Sequence, residues 1–337
     1  MGTGARAGSV PVSALGFGAA TLGNLFTAVT DEESHTAVET AWNHGVRYFD
    51  TAPHYGLGLS ERRLGEALRG RPRDTYTLST KVGRLLEPTG TPAHAGTAPG
   101  GTDCGFAVPV THRRVWDFSA DGVRRSLEAS LERLGLDRVD IVYLHDPDEC
   151  GDGGEQALRE AYPALERLRA EGVIGAIGAG MNRVAPLERF LRETDADVLL
   201  CAGRLTLLDQ RAARSLLPEA ARRGRSVVVG GVFNSGLLAD PRPGATFDYR
   251  AASVDLLGRA LRIRAVAEEH GVPLRAAAVQ FPFRYAAVAS VLVGMRSAAE
   301  AADAAAVLAV DVPEELWDAL RAEGLLEDGP QDGGEAA

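Results

Sequence analysis

Short apolar runs alternate with amphipathic helical segments along nearly the whole chain. This alternation is typical of parallel βαβ units, in which each strand is followed by a helix that covers the sheet. The predicted strands are 14–18, 46–50, 77–82, 141–144, 175–179, 198–202, 226–229 and 288–293. Eight such units favour a closed barrel over an open doubly wound sheet, which usually has fewer units and a point where the strand order reverses. The sequence therefore predicts an α/β fold, a single (β/α)8 TIM barrel.

Several helix boundaries carry their own signals. Thr30 and Glu33 form a capping-box pattern that opens a helix through Asn43, and Ser119 is placed to cap a helix over 120–134. Further helices are predicted over 60–68, 155–171, 186–192, 211–223, 253–270 and 274–281. We expect residues 1–329 to form one barrel domain and residues 330–337 to be a disordered tail.

The composition excludes several classes of protein. The 337 residues carry a formal charge of -10 with both signs interspersed, which disfavours a nucleic-acid surface. The three cysteines are scattered and lack C-x-x-C spacing, so neither a disulfide framework nor a metal site is predicted. No apolar run approaches the roughly 20 residues of a membrane span, and the first residues lack the apolar core of a secretory signal. A cytoplasmic enzyme without a membrane or nucleic-acid partner is expected.

A long segment interrupts the pattern after the third predicted strand. Residues 84–117 are rich in Gly, Pro, Thr and Ala. A loop of this length without its own secondary structure is usually functional or disordered. In a barrel it would lie at the C-terminal end of the strands, where active sites are built. We interpret it as an active-site loop that covers the substrate, with an inert disordered insertion as the alternative.

Four polar side chains lie at or just beyond the ends of predicted strands. Asp50 ends the second strand, Lys81 lies near the end of the third, His145 follows the fourth, and Tyr55 lies in the loop after Asp50. Barrel geometry directs all four toward one mouth. A charged lysine in a barrel strand needs a partner, because an isolated buried ammonium is very costly, and Asp50 is the natural one.

Together these residues suit proton transfer coupled to hydride transfer. A free tyrosine is a weak acid, with a pKa of about 10. A nearby ammonium such as Lys81 would lower that pKa toward the working range, while His145 would hydrogen-bond the substrate oxygen. Each residue alone has a structural explanation: Asp50 as a turn former, His145 as a core histidine and Tyr55 as a packing aromatic. Their joint placement favours catalysis.

These residues lie in segments that resemble the aldo-keto reductase superfamily over nearly the whole chain. The segment 48–56 (YFDTAPHYG) is the most specific, followed by 125–134 and 140–145. The resemblance implies that Tyr55 is the acid/base, that Asp50 and Lys81 adjust its pKa, and that His145 is the fourth catalytic residue. Segments 115–119, 145–148, 202–204, 207–210 and 230–236 are similar to the branch that contains D-threo-aldose 1-dehydrogenase, L-fucose dehydrogenase, L-galactose dehydrogenase and pyridoxal 4-dehydrogenase.

The same resemblance implies two cofactor-binding segments. The loop after the seventh strand would fold over the pyrophosphate, with Phe233, Asn234, Ser235, Gly236 and Leu237 as its contacts. After the eighth strand, Gly294, Arg296, Ser297 and Glu300 would bind the adenosine side, since the N-terminus of a helix favours anions. A plain strand-to-helix turn capped by Ser297 is the alternative for this second segment.

Two departures from the family pattern bear on the cofactor. Gly230 occupies the position of the tyrosine that stacks on nicotinamide in many members, and Phe233 is our candidate to replace it. Glu300 occupies a position that often binds the ribose 2′-phosphate of NADP. A carboxylate there repels that phosphate and suits the NAD ribose. The positive charge of Arg296 would instead attract that phosphate. The cofactor is therefore expected to be NAD or NADP, with NAD favoured.

The branch resemblance implies oxidation of the anomeric hydroxyl of an aldose to a lactone. Residues 84–117, Asp146, Asp148 and Arg204 are the candidate substrate contacts. Two alternatives are an aldehyde or ketone reductase of secondary metabolism that uses the same site, and a cofactor-binding regulatory subunit without catalysis. The presence of all four proposed catalytic residues argues against the last.

Overall fold

The computed structural model describes residues 5–93 and 103–327 and places eight parallel strands in one closed barrel. These strands are β1 (Leu15–Gly18), β2 (Tyr48–Asp50), β3 (Thr77–Val82), β4 (Ile141–His145), β5 (Ala176–Met181), β6 (Val198–Ala202), β7 (Ser226–Gly230) and β8 (Val288–Gly294). They follow chain order around the barrel, and β8 pairs with β1 to close it. The predicted (β/α)8 architecture is confirmed.

Amphipathic helices surround the strands. The described residues form α1 (Asp31–Asn43), α2 (Leu59–Leu68), α3 (Ala120–Leu134), α4 (Tyr162–Ala170), α5 (Val184–Glu193), α6 (Arg211–Arg214), α7 (Leu216–Arg222), α8 (Val254–Glu269), α9 (Leu274–Gln280), α10 (Ala298–Leu308) and α11 (Glu314–Ala322). The capping box of α1 is present: the Thr30 hydroxyl accepts from the Glu33 amide, and the Glu33 carboxylate accepts from the Thr30 amide. The predicted helix 155–171 instead contains a π-helical turn, Ala157–Ala161, before α4.

The hydrophobic core has two principal parts. The larger one lies between the strands and the helices, and the smaller one fills the N-terminal half of the barrel interior. A two-stranded hairpin, Arg6–Ala7 with Val10–Pro11, contributes Ala7 and Val10 to this inner part. It therefore closes the N-terminal end of the barrel, while the polar residues discussed below gather at the C-terminal end of the strands.

The segment after β3 is more ordered than its composition suggested. Arg84–Ala93 pairs antiparallel with Val110–Trp116, so the expectation of a loop without secondary structure is wrong for these two parts. In this hairpin, Val110–Trp116 alternates mostly between half-buried and exposed side chains. The Gly- and Pro-rich surroundings concealed this two-residue period in the sequence. Residues 94–102, between them, and the predicted tail, 330–337, lie outside the described residues.

Candidate active site at the C-terminal mouth of the barrel

Strand register brings three of the four predicted catalytic residues to one end of the barrel. Asp50 is the last residue of β2 and lies opposite Ser79 of β3, Lys81 lies two residues further along β3, and His145 is the last residue of β4. Tyr55 follows β2 in a turn packed tightly against the loop after β1. A Cβ built on Gly56 would lie 2.3 Å from the Gly23 carbonyl oxygen, so a residue with a side chain would displace this turn.

Lys81 and Asp50 form a buried ion pair. The Lys81 Nζ atom lies 2.6 Å from Oδ2 of Asp50 and donates a second hydrogen bond, 2.9 Å long, to the Thr51 carbonyl oxygen. Burial works against the charged lysine, but the negative charge of Asp50 and a hydrogen bond with Tyr55 raise its pKa above the usual value. Lys81 is therefore an ammonium at neutral pH.

Tyr55 lies directly beside this ammonium. The Lys81 Nζ atom is 4.8 Å from the centre of the Tyr55 ring. Burial nevertheless raises the pKa of Tyr55 to about 12, although the charge of Lys81 and a hydrogen bond with it act in the opposite direction. Lys81 lowers this pKa as expected, but desolvation of the phenolate outweighs the ammonium, so the expectation of a pKa brought down toward neutrality is wrong.

Two histidines border the tyrosine. The His145 and His54 rings lie 5.9 and 6.1 Å from the Tyr55 ring, both edge-on. Burial, followed by the positive charge of Arg84, lowers the pKa of His145 well below its usual range and that of His54 to about 2. Both imidazoles are therefore neutral, and Nδ1 of His145 has no hydrogen-bond partner among the described residues.

A chain of hydroxyl groups runs from Asp50 into the barrel interior. Ser79 Oγ donates to Oδ1 of Asp50 at 2.7 Å and lies 3.2 Å from the Tyr48 hydroxyl, which is 3.0 Å from that of Tyr143. Ser79, Tyr48 and Tyr143 are fully buried. Together with Lys81 on Oδ2, the chain satisfies both oxygens of the Asp50 carboxylate.

Arg84 is a mouth residue to which the sequence assigned no individual role. Its guanidinium forms an ion pair with Asp146 and lies 3.4 Å from Nδ1 of His54. Asp146 Oδ2 is also 3.5 Å from Nε2 of His145. The sequence contained a signal for this residue, because Arg84 lies only two residues beyond the end of β3, and a polar residue near a strand end is the cue that identified Asp50 and His145.

The other candidate substrate contacts are engaged by the protein itself. Asp148 receives a 2.6 Å hydrogen bond from Arg183. The Arg204 guanidinium is divided among the Asn182 carbonyl oxygen, Asp209 and Asp248. The Arg204 guanidinium and Oδ2 of Asp148 are therefore occupied, whereas Oδ1 of Asp148 has no partner among the described residues and Asp146 lies beside His145.

The predicted pyrophosphate loop has an unusual backbone. Asn234, Ser235 and Gly236 have φ values of 46°, 57° and 104°, and a Cβ built on Gly236 would meet open space. Asn234 is buried, and its Oδ1 atom has no partner among the described residues, a costly state unless a ligand donor reaches it. The Leu237 side chain is fully buried in the core, and Phe233 packs partly against that core. The loop therefore fits a bound nucleotide, with Leu237 limited to backbone contacts.

The second predicted cofactor segment opens α10. Ser297 caps the helix by accepting from the Glu300 amide at 3.2 Å. Glu300 accepts from the Arg296 amide and lies 2.9 Å from the Arg296 Nε atom. Gly294 ends β8 opposite Gly18. Arg296 and Glu300 therefore largely neutralise each other at this position.

Two absences apply to residues 5–93 and 103–327. No group of three or more His, Cys, Asp or Glu side chains there could hold a metal ion. Within the same part of the chain, none of the helices is both long and apolar enough to cross a membrane.

Known proteins resemble this chain over nearly its whole length. The family model described as "Aldo/keto reductase family" matches residues 14–323. A D-threo-aldose 1-dehydrogenase from a Pseudomonas species is 46% identical, over 96% of this chain and 97% of the relative. A pyridoxal 4-dehydrogenase from Microbacterium luteolum is 39% identical, over 94% and 95%. The solved structure of an aldo-keto reductase from Bacillus halodurans, in its holo form, superposes with a TM-score of 0.72 and covers 97% of each chain at 24% identity, a likeness of fold.

Proposed function

The chain belongs to the aldo/keto reductase family and is an oxidoreductase, and from this premise we propose that it oxidises the anomeric hydroxyl of an aldose to a lactone. The observation that carries the choice of substrate is the likeness to the Pseudomonas aldose dehydrogenase over almost the whole of both chains. The named dehydrogenase relatives also argue against a non-catalytic regulatory role. A cytoplasmic location stays a prediction.

We assign the chemistry to Tyr55, Lys81, Asp50 and His145. Tyr55 accepts the proton of the anomeric hydroxyl as the hydride leaves C1, and the new carbonyl is that of the lactone. The Lys81 ammonium, anchored by Asp50, stabilises the phenolate that accepts this proton. His145 is neutral, and a neutral imidazole can donate a hydrogen bond to the substrate oxygen without competing for the proton.

A bound nicotinamide dinucleotide supplies the hydride acceptor. The buried, unpaired Oδ1 atom of Asn234 and the open space beside Gly236 support a nucleotide under this loop, together with Ser235 and the backbone of Leu237. Phe233 is the proposed platform for the nicotinamide. On the adenosine side, the candidates are Gly294, Arg296, Ser297 and Glu300. Because Glu300 neutralises Arg296, we propose NAD as the preferred cofactor.

One observation favours the reverse reaction as a second candidate. With its pKa near 12, Tyr55 is protonated at neutral pH and ready to donate a proton to a carbonyl oxygen. An aldehyde or ketone reductase with the same residues is therefore the alternative function.

The two candidates are separated by assaying both directions. The purified protein is incubated with NAD or NADP and a panel of aldoses that includes L-fucose and D-arabinose, while absorbance of the reduced cofactor is followed. Aldose-dependent reduction and a product that has lost two hydrogen atoms are expected. Turnover of aldehydes with reduced cofactor, without oxidation of any aldose, would replace the first proposal with the second.

A further inference from the structure

Arg84 is held over the barrel mouth by its neighbours. It follows Gly83, whose φ is +104° and whose position is so tight that a Cβ would lie 2.1 Å from the Phe118 ring. The Arg84 guanidinium then stacks 4.3 Å from the centre of the Trp116 ring, its partner in the hairpin register. The backbone and this aromatic face therefore fix the guanidinium in place.

Asp146 reaches the same point from β4, the strand that pairs with β3. Its φ is 45°, a left-handed conformation that residues other than glycine seldom adopt. This conformation leaves the carboxylate between Arg84 and His145. The two side chains are only 14% and 15% exposed, and burial raises the pKa of Asp146 to about 6. The site therefore retains a largely desolvated charge pair next to the reacting groups.

The pair retains unused hydrogen-bonding capacity. Nη1 of Arg84 makes only a long contact with Nδ1 of His54, at 3.4 Å, and Nε has no partner among the described residues. On Asp146, the contacts with Arg84 and His145 both use Oδ2. A guanidinium with free N–H donors beside a carboxylate matches adjacent hydroxyl groups, each of which both donates and accepts.

We propose that Arg84 and Asp146 recognise the hydroxyl groups of a neutral, polyhydroxylated substrate and thereby determine specificity. This inference rests on the proposed aldose oxidation. Because Asp146 already neutralises Arg84, the pair also selects against anions: a carboxylate or phosphate on the substrate would have to displace Asp146 from Arg84. An apolar carbonyl compound would leave both charged groups without hydrogen bonds that replace those of water, which is costly in a desolvated site.

The test compares three substrates in the wild-type enzyme and in variants. They are a neutral aldose, the corresponding uronic acid, and a simple aldehyde assayed for reduction. Arg84→Met alone leaves the Asp146 carboxylate unpaired, so Arg84→Met/Asp146→Asn is made as well, and folding of both is checked by circular dichroism. Arg113→Met, on the exposed side of the same hairpin, is the matched control.

We expect the double variant to lose about 10- to 100-fold in kcat/KM for the aldose, mainly through KM, because charged hydrogen bonds to the substrate are removed. Turnover of the simple aldehyde should change less than about threefold, and Arg113→Met should match the wild type. Equal losses for aldose and aldehyde, or a wild-type preference for the uronic acid, would overturn the inference. If the wild type reduces the aldehyde but oxidises no aldose, the proposed function itself fails.

Discussion

The Nζ atom of Lys81 lies 2.6 Å from Oδ2 of Asp50, with both side chains almost completely buried in the barrel. Removing two charges from water costs several kcal/mol per ion, which mutual attraction and further hydrogen bonds must offset. Here Ser79 and the Thr51 carbonyl oxygen supply those bonds. The pair thus places a positive charge beside Tyr55 at a site where an unpaired lysine would lose its proton.

Breaking this pair should destabilise the protein. We expect Lys81→Met to lower the free energy of unfolding by about 3–5 kcal/mol, because it leaves Asp50 charged, buried and unpaired. Denaturant unfolding followed by circular dichroism measures the change. In Lys81→Met/Asp50→Asn the loss should be smaller, since neither charge remains. A single variant as stable as the wild type would show that the pair is not desolvated in solution.

Removing the Tyr55 hydroxyl should abolish most of the activity without affecting the fold. We expect Tyr55→Phe to lower kcat by about 10²–10⁴-fold in either direction, the usual contribution of a positioned acid/base. Cofactor affinity, measured by fluorescence titration, should stay within a few-fold of the wild type. Tyr76→Phe, which changes a phenol that packs against Trp42 and Phe49, is the control. Full activity of Tyr55→Phe would remove the residue from the mechanism.

The two reaction directions should differ in their dependence on pH. A pKa of about 12 means that the Tyr55 phenolate is scarce at neutral pH and that the phenol is abundant. Oxidation requires the phenolate, so its kcat/KM should rise between pH 6 and 9, by up to about tenfold per unit. Reduction requires the phenol and should not gain over this range. An oxidation profile that is flat from pH 6 to 9 would contradict this assignment of the base.

Much of this arrangement is predictable from the two-residue period of strand side chains and from the position of a residue near the end of a strand. Strand side chains alternate between faces, so the placement of Lys81 in β3 also places Ser79 on the same face, two residues earlier. The catalytic group predicted from the sequence contains only titratable side chains and therefore lacks this hydroxyl. Arg84 was missed for a different reason: Pro and Gly in the segment after β3 indicated a loop, and they concealed the hairpin that fixes the guanidinium.

The pKa of Tyr55 is a property that the sequence does not predict correctly. The sequence displays the charge that favours the phenolate, but it does not show how deeply the phenol is buried. That burial depends on distant segments, such as the one that places the Phe106 ring 6.0 Å from the Tyr55 ring. Desolvation of Tyr55 depends on the folded structure around the end of the barrel, so the direction of its net pKa shift does not follow from the sequence.

The chain of hydroxyl groups that ends at Asp50 should influence the pKa of Tyr55. Ser79 donates to the carboxylate, and without that bond the negative charge of Asp50 acts more strongly on Tyr55, which raises its pKa. We therefore expect Ser79→Ala to lower kcat for oxidation between pH 6 and 9 and to leave KM and the reduction rate nearly unchanged, because the phenol needed for reduction is already abundant. Ser79→Thr keeps a hydroxyl and should retain most of the wild-type oxidation rate. Equal losses in both directions in Ser79→Ala would indicate a structural role only.

Cofactor choice should depend on Glu300. Its carboxylate pairs with Arg296 at the start of α10, where we expect the adenosine ribose to bind. In Glu300→Gln the arginine is no longer neutralised, and a 2′-phosphate meets a cation rather than an anion. We expect the ratio of the Kd for NADPH to that for NADH to fall by about fivefold, since such exposed charge effects are near 1 kcal/mol. Glu315→Gln, an exposed change in the first turn of α11, should leave the ratio unchanged. An unaltered ratio in Glu300→Gln would mean that the ribose binds elsewhere, because a carboxylate in contact with the phosphate cannot be neutralised without effect.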